Sequence, residues 1–272
     1  MNKILVTSGC SFTENSGLGE AWPSQLNKIG KFTQFYNEGQ AAQSNKLIKL
    51  RTQYRVSELL KTYKPEEITV GIMWTGFDRT AIFTADQYTI DFVDESTATK
   101  DRDFLKPFNF IENARYKWIP MVHDHLSADH LHRPYYSKVY NTEQAILDLF
   151  VHISDTQNYL ERVGVNYFMA TAWNLFQYEC DGWCSDKEQY FPNEKLRKSF
   201  IPLGVLNDEN YSWLIDSIDF KKFIEVEGLW EYAYSINPSR TFRVHHHPTG
   251  QEHLEYIKEY ILPHLNIQQN HI

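Results

Sequence analysis

The sequence is poor in cysteine, with three in 272 residues at Cys10, Cys180 and Cys184. An odd and sparse set builds no disulfide framework and predicts a reducing compartment. Cys180 and Cys184 stand four apart, but no second pair accompanies them, so a zinc site is not expected. Basic residues are in deficit as well: Lys and Arg total 27 against 35 Asp and Glu, a formal net charge of −8. Without a basic face, neither nucleic acid nor an anionic membrane is an expected partner. No apolar run approaches membrane length. The run at residues 4–6 stops at Ser8-Gly9, too short for a signal-peptide core or a spanning helix. These features predict a soluble, cytoplasmic protein with no cleavable export signal. Glycine-rich phosphate loops are missing in both the Gly-x-Gly-x-x-Gly and Walker forms, and no nucleotide or other cofactor is expected. Gly-x-Ser-x-Gly is absent too, which disfavours the larger nucleophile-elbow hydrolases.

What the chain has in quantity is material for a core. Hydrophobic residues make up 42% and charged residues 23%, a globular balance. Aromatics reach 15% and gather in the second half, including Trp173, Tyr178, Trp183, Tyr190, Phe191, Tyr211, Trp213, Trp230 and Tyr232. They serve either as thick packing between long loops or as a stacking surface for a sugar or another flat ligand. No internal repeat, low-complexity tract or Pro/Gly linker divides the chain, so residues 1–272 are expected to form one domain.

Hydrophobic patterning sets the order of elements. Residues 4–6 read as a strand buried on both faces, as a parallel sheet requires. Residues 22–29 read as a short helix and 32–36 as a second strand. Ser44 is placed to cap a helix running to about Tyr63, which Pro65 stops. Residues 68–74 form a third buried strand, 142–163 a helix and 165–170 a fourth strand. Two irregular insertions are expected, at about 80–140 and 173–212, and residues 213–233 are ambiguous between patterns. Thr249 opens the last helix, and with Glu252 it has capping-box spacing. Leu254, Ile257, Ile261 and Leu265 follow along one face. Alternating strands and helices of this kind predict a three-layer α/β/α arrangement around a parallel sheet.

In such a sheet, sites form at the carboxyl ends of the strands. Three loops should converge there: residues 9–13, residues 37–45 and residues 74–79. His245-His246-His247-Pro248 joins them from the far end of the sequence. Adjacent residues on an extended segment point opposite ways, so only His245 and His247 of the triple share a side. His123, His125, His130 and His132 lack the one-turn spacing of a helical zinc site. Both sets read as polar loop histidines, and no metal is expected.

Gly9-Cys10-Ser11-Phe12, Asn37-Glu38-Gly39-Gln40-Ala41-Ala42 and His247-Pro248 stand in an order that resembles the SGNH/GDSL hydrolase superfamily. The resemblance is nearest to divergent, often phage-encoded members with Cys-Ser-Phe-Thr near the start. Those members carry Trp-Thr-x-x-Asp-Arg after the third strand, which Trp74-Thr75-Gly76-Phe77-Asp78-Arg79 fits. The resemblance implies a flavodoxin-like sheet, Ser11 as nucleophile, and His247 as its base. The backbone N–H groups of Ser11 and Ala42 then hold an oxyanion, within a loop that includes Gly39. Four departures stand out. Cys10 replaces the usual Asp, Phe77 stands where an asparagine donor belongs, Val244 or His245 falls where the catalytic Asp belongs, and Ala42 replaces the oxyanion glycine, a mild change because alanine also supplies the backbone N–H. A Ser-His pair without the acid is the form of the site that this implies, with Asn45 as a candidate replacement donor. Asp78, Arg79 and His245 are candidate substrate-binding groups, Arg79 for a carboxylate or phosphate.

The expected function is therefore hydrolysis of carboxylic esters, O-acetyl esters of sugars among them, on a small-molecule or carbohydrate substrate. The alternative is a catalytically silent relative that binds carbohydrate or serves as a phage structural component, with virion association. A metal-dependent hydrolase using the histidine clusters is a third and weaker option. Asp216 and Glu252 are acidic residues for the vacant third position, and the spacing singles out neither. Oligomeric state is left open by the sequence.

Overall fold

A computed structural model describes residues 3–14, 19–85, 116–121, 132–175, 209–224, 228–237 and 247–265. Four strands form the central sheet: β1 (Ile4–Ser8), β2 (Gln34–Asn37), β3 (Ile68–Trp74) and β6 (Asn166–Thr171). All pair in parallel, in the order β2-β1-β3-β6. An isolated parallel bridge from Met169 to Phe223, with Ile224 N–H donating to Met169 O at 2.8 Å, carries the pattern one position further.

Period-two alternation sends successive side chains to opposite faces of this sheet. Ile4, Val6, Ile68, Val70, Ile72, Trp74, Tyr167 and Met169 join one cluster. Helices α2 (Asn45–Leu59), α4 (Thr142–Val163) and the short α5 (Trp213–Asp216) complete it with Ile48, Val56, Phe150, Ile153 and Leu214. Leu5, Met73, Phe168 and Ala170 face the other way. There they meet α1 (Trp22–Gly30), α6 (Leu229–Ile236) and α7 (Gly250–Tyr256) through Trp22, Leu26, Leu229, Trp230 and Tyr256. Three layers result, as the patterning predicts. Gly71 leaves room for Trp22 and Phe168, since a methyl there would meet Phe168 Cζ at 2.6 Å and the Trp22 ring at 3.0 Å.

Several details differ from the sequence expectation. The helix capped by Ser44 ends at Leu59, with single turns continuing to Tyr63. Residues 80–140 are not irregular throughout: β4 (Thr80–Ala85) and β5 (Tyr116–Met121) pair antiparallel, and α3 (His132–Lys138) follows. Residues 213–233 resolve into α5, a single turn at Phe220–Lys222 and α6. The last helix is not one continuous face. A π turn at Ile257–Ile261 precedes the closing turn α8 (Leu262–His264). Pro263 has no N–H and its ring clashes with the carbonyl four residues back, so a widened turn ahead of it is the expected accommodation. The π turn shifts the stripe, and Tyr256, Ile257, Ile261 and Leu262 are the buried members. Among the described residues, no helix is long and apolar enough to cross a membrane.

Candidate functional site

The strand order makes β1 and β3 neighbours at the position where the chain's winding reverses, and a parallel sheet opens toward ligands at the carboxyl ends of such strands. Ser11 follows β1 by three residues in a tight turn. Thr13 and Glu14 both donate their N–H groups to Cys10 O, at 2.9 and 3.0 Å. The turn is held from three sides. Trp22 Nε1 donates to Thr13 Oγ1 at 3.2 Å, Asn37 Nδ2 to Thr13 O at 2.8 Å, and Gln43 Nε2 to Gly9 O at 2.9 Å. Cys10 is fully buried with a free thiol and serves as a packing residue of this turn.

The loop after β2 presses on that turn. A methyl at Gly39 would lie 2.7 Å from both Glu14 N and Thr13 C, so only glycine allows the approach. Gly39 donates its N–H to Asn37 Oδ1 at 2.9 Å, Gln40 to Gly9 O at 3.1 Å, and Ala41 to Glu14 Oε2 at 2.7 Å. Ala42 then turns left-handed, with φ of 60°. No hydrogen bond uses the Ala42 N–H among the described residues, although its three predecessors are all engaged. Below the loop, Glu38 is buried and accepts from Arg55 Nε at 2.5 Å and from Arg51 at 3.3 Å. Arg51 Nη1 also reaches Gln40 Oε1 at 2.6 Å and Gln43 Oε1 at 2.8 Å. Burial pulls the Arg51 pKa down, and Glu38 opposes that shift.

The loop after β3 is fixed by Asn45. Its Nδ2 donates to Thr75 O at 2.9 Å and Gly76 O at 3.3 Å, and its Oδ1 accepts from Thr75 N at 2.9 Å. Both amide hydrogens are thereby engaged, so Asn45 holds this loop and has no donor left for a substrate oxyanion. Phe77 packs against the cluster on the α2/α4 face and supplies no polar group. Asp78 is buried, and its carbonyl accepts from Tyr136 Oη at 2.7 Å. That bond ties α3 to the loop. Burial, assisted by the Asp78 charge, raises the Tyr136 pKa far above its ordinary value, so the phenol stays protonated as a donor.

His247 arrives from the other end of the chain. The helix behind it is anchored by Gln25, whose Nε2 donates to Gly250 O at 2.7 Å and to Glu20 O. Thr249 and Glu252 form the expected capping box, with Glu252 Oε2 accepting from Thr249 N at 2.6 Å and Thr249 Oγ1 from Glu252 N at 3.3 Å. The His247 ring meets the Phe12 ring edge-on at 5.3 Å between centroids, and Nε2 is buried. Phe12 in turn packs on Trp173 at 4.7 Å, and the Arg79 guanidinium lies over the Trp173 ring at 4.7 Å.

The structure thus brings the loops carrying Ser11, Gly39, Ala42, Arg79 and His247 to one edge of the sheet. His245 lies outside the described residues, as do Val244, Cys180, Cys184 and His123, His125 and His130. Asp216 is exposed on α5, which packs on α4 in the layer opposite α7, so it is no partner for His247. Glu252 is buried as the capping residue of α7. Among the described residues, no group of three or more His, Cys, Asp or Glu side chains is arranged to hold a metal. Sequence reasoning missed Phe12 and Trp173 as the link between the two ends of the chain. The density of aromatics after residue 170 was the available signal.

Fold and site together define a three-layer α/β protein whose polar and aromatic groups converge at the carboxyl edge of a parallel sheet. No protein-family model matches the chain, and no curated protein does. Among solved structures, the YxiM protein of Bacillus subtilis is similar over 99% of this chain and 58% of its own, at 14% identity and a TM-score of 0.47. The chain therefore spans less than two thirds of that protein's length.

Proposed function

We propose that the protein is a serine hydrolase of the SGNH type that cleaves carboxylic esters through Ser11 and His247. The observation that carries this reading is the ring contact between Phe12 and His247, which sets the imidazole from the end of the chain beside the turn that bears Ser11. In the proposed reaction His247 takes the Ser11 hydroxyl proton while Oγ attacks the ester carbonyl carbon. The carbonyl oxygen becomes an oxyanion held by the N–H groups of Ser11 and Ala42. The tetrahedral intermediate then collapses, the C–O bond to the alcohol breaks, and His247 returns its proton to the leaving oxygen. Water attacks the acyl-serine with His247 again as base, releasing the carboxylic acid and restoring Ser11. Catalytic hydrogen bonds in unliganded sites often tighten only with substrate, so the Ser11–His247 bond belongs to the complex in this account.

The N–H of left-handed Ala42, which no hydrogen bond uses among the described residues, supports the oxyanion assignment. The loop after β3 supplies no side-chain donor, because Phe77 is apolar and the Asn45 amide is engaged. Loss of such a donor costs roughly 10²–10³ in rate. That engaged amide is also the observation favouring the second reading, a silent module that binds carbohydrate on the Phe12–Trp173 surface. Turnover of 4-nitrophenyl acetate separates the two. Ser11→Ala and His247→Ala should each abolish it without lowering the melting temperature by more than a few degrees. Equal turnover in wild type and Ser11→Ala ends the hydrolase reading.

A further inference from the structure

Arg79 differs from Arg51 and Arg55, and from Arg162, which is exposed on α4 over the Tyr159 ring. Arg51 and Arg55 are neutralised by Glu38. Arg79 is partly buried, its Nη1 is shielded from solvent, and no hydrogen bond reaches that nitrogen among the described residues. A shielded cationic N–H without an acceptor is costly and is normally matched by an anion.

Its position says which anion. The Arg79 guanidinium carbon lies over the Trp173 ring, 4.7 Å from its centroid, and the side chain as a whole is partly exposed, with a fork of N–H donors to offer. A planar fork of that kind matches a two-oxygen anionic group. Trp173 packs on Phe12, and Phe12 on His247, so the cation and the proposed base are joined by one stack of rings. We propose that Arg79, laid on Trp173, anchors a carboxylate or phosphate carried by the substrate, and that the protein acts on acidic esters in preference to neutral ones. This rests on the hydrolase reading above, but the anion site itself does not require turnover.

Two measurements separate the two ideas. The first compares kcat/KM for neutral 4-nitrophenyl acetate, mono-4-nitrophenyl glutarate (anion on the acid side) and 3-acetoxybenzoate (anion on the alcohol side). In Arg79→Met the ratio of anionic to neutral ester should fall at least tenfold for one of the two acidic esters, and Arg79→Lys should recover part of it. The ester affected reports which side of the bond carries the anion. A smaller fall for both overturns the proposal while leaving the hydrolase reading intact. The second is calorimetric titration of Ser11→Ala protein with glutarate and with inorganic phosphate. Binding of one of them that weakens at least tenfold when Arg79→Met is added supports the anion site even if no ester is hydrolysed. Absence of binding to both, or affinity unchanged by Arg79→Met, overturns it.

Discussion

Asn45 grips Thr75 at both ends of its amide: Nδ2 donates to the Thr75 carbonyl and Oδ1 accepts from the Thr75 N–H, each at 2.9 Å. Both residues are buried, so neither backbone group has water as a substitute. Asn45→Ala leaves a buried N–H and a buried C=O without partners and should lower folding stability by about 2–4 kcal/mol. Asn45→Asp keeps the acceptor but turns a carboxylate oxygen toward the Thr75 and Gly76 carbonyls, and should destabilise at least as much at neutral pH. Equilibrium urea denaturation measures both. A loss below about 0.5 kcal/mol in Asn45→Ala would show that the loop after β3 is held by something else.

Ala42 holds a left-handed conformation in which its Cβ crowds the following carbonyl, at a cost of roughly 1–2 kcal/mol. Glycine has no such penalty but loses more chain entropy on folding. The balance predicts that Ala42→Gly stabilises the protein by about 0.5–1 kcal/mol. Since the N–H is retained, ester turnover should persist. A melting temperature lowered by this substitution would contradict the assigned backbone geometry.

His152 on α4 sets an acid limit on stability. Burial pushes its pKa down to about 4, with Lys49 and Lys46 of α2 adding to the shift and Asp148 and Asp155 opposing it. Between pH 6.5 and 4 the unfolded chain binds a proton that the folded chain refuses. Stability from this residue is therefore full above pH 6.5 and falls as the pH drops toward 4, by ~3 kcal/mol at most. His152→Leu should flatten that part of the stability–pH curve relative to wild type. Curves of equal slope between pH 6.5 and 4.5 would refute the shift.

Much of the frame was legible in the sequence because burial on two faces leaves uninterrupted apolar runs, as at Ile4 to Val6 and Ile68 to Trp74. Caps were legible for the same local reason: Ser44 and Thr249 accept from N–H groups three residues on. The β4–β5 pair was not. It lies outside the main sheet, and Pro120 in β5 argues against a strand until Ala81 is seen opposite it at a sheet edge. The helix stripe after Thr249 was misread because a π turn adds a residue that periodicity does not anticipate.

At the site, the positions of the Ser11, Gly39 and Ala42 loops follow from strand order and were readable. The direction in which a polar side chain spends its bonds was not. Asn45 looked like a free donor because its amide's partners, Thr75 and Gly76, are thirty residues away in sequence. The stack of Arg79, Trp173, Phe12 and His247 draws on four separate segments and exists only once the sheet has assembled them.

The central claim is that Ser11 is a nucleophile activated by His247. A fluorophosphonate probe tests it without knowledge of the substrate, since an activated serine oxygen displaces fluoride and keeps the phosphonyl group. Intact-mass and peptide mass spectrometry of the treated protein should show one adduct per chain, on Ser11, absent from Ser11→Ala and strongly slowed in folded His247→Ala. Unmodified wild-type protein, or an adduct on Ser11 that forms equally fast without the imidazole, would contradict the account.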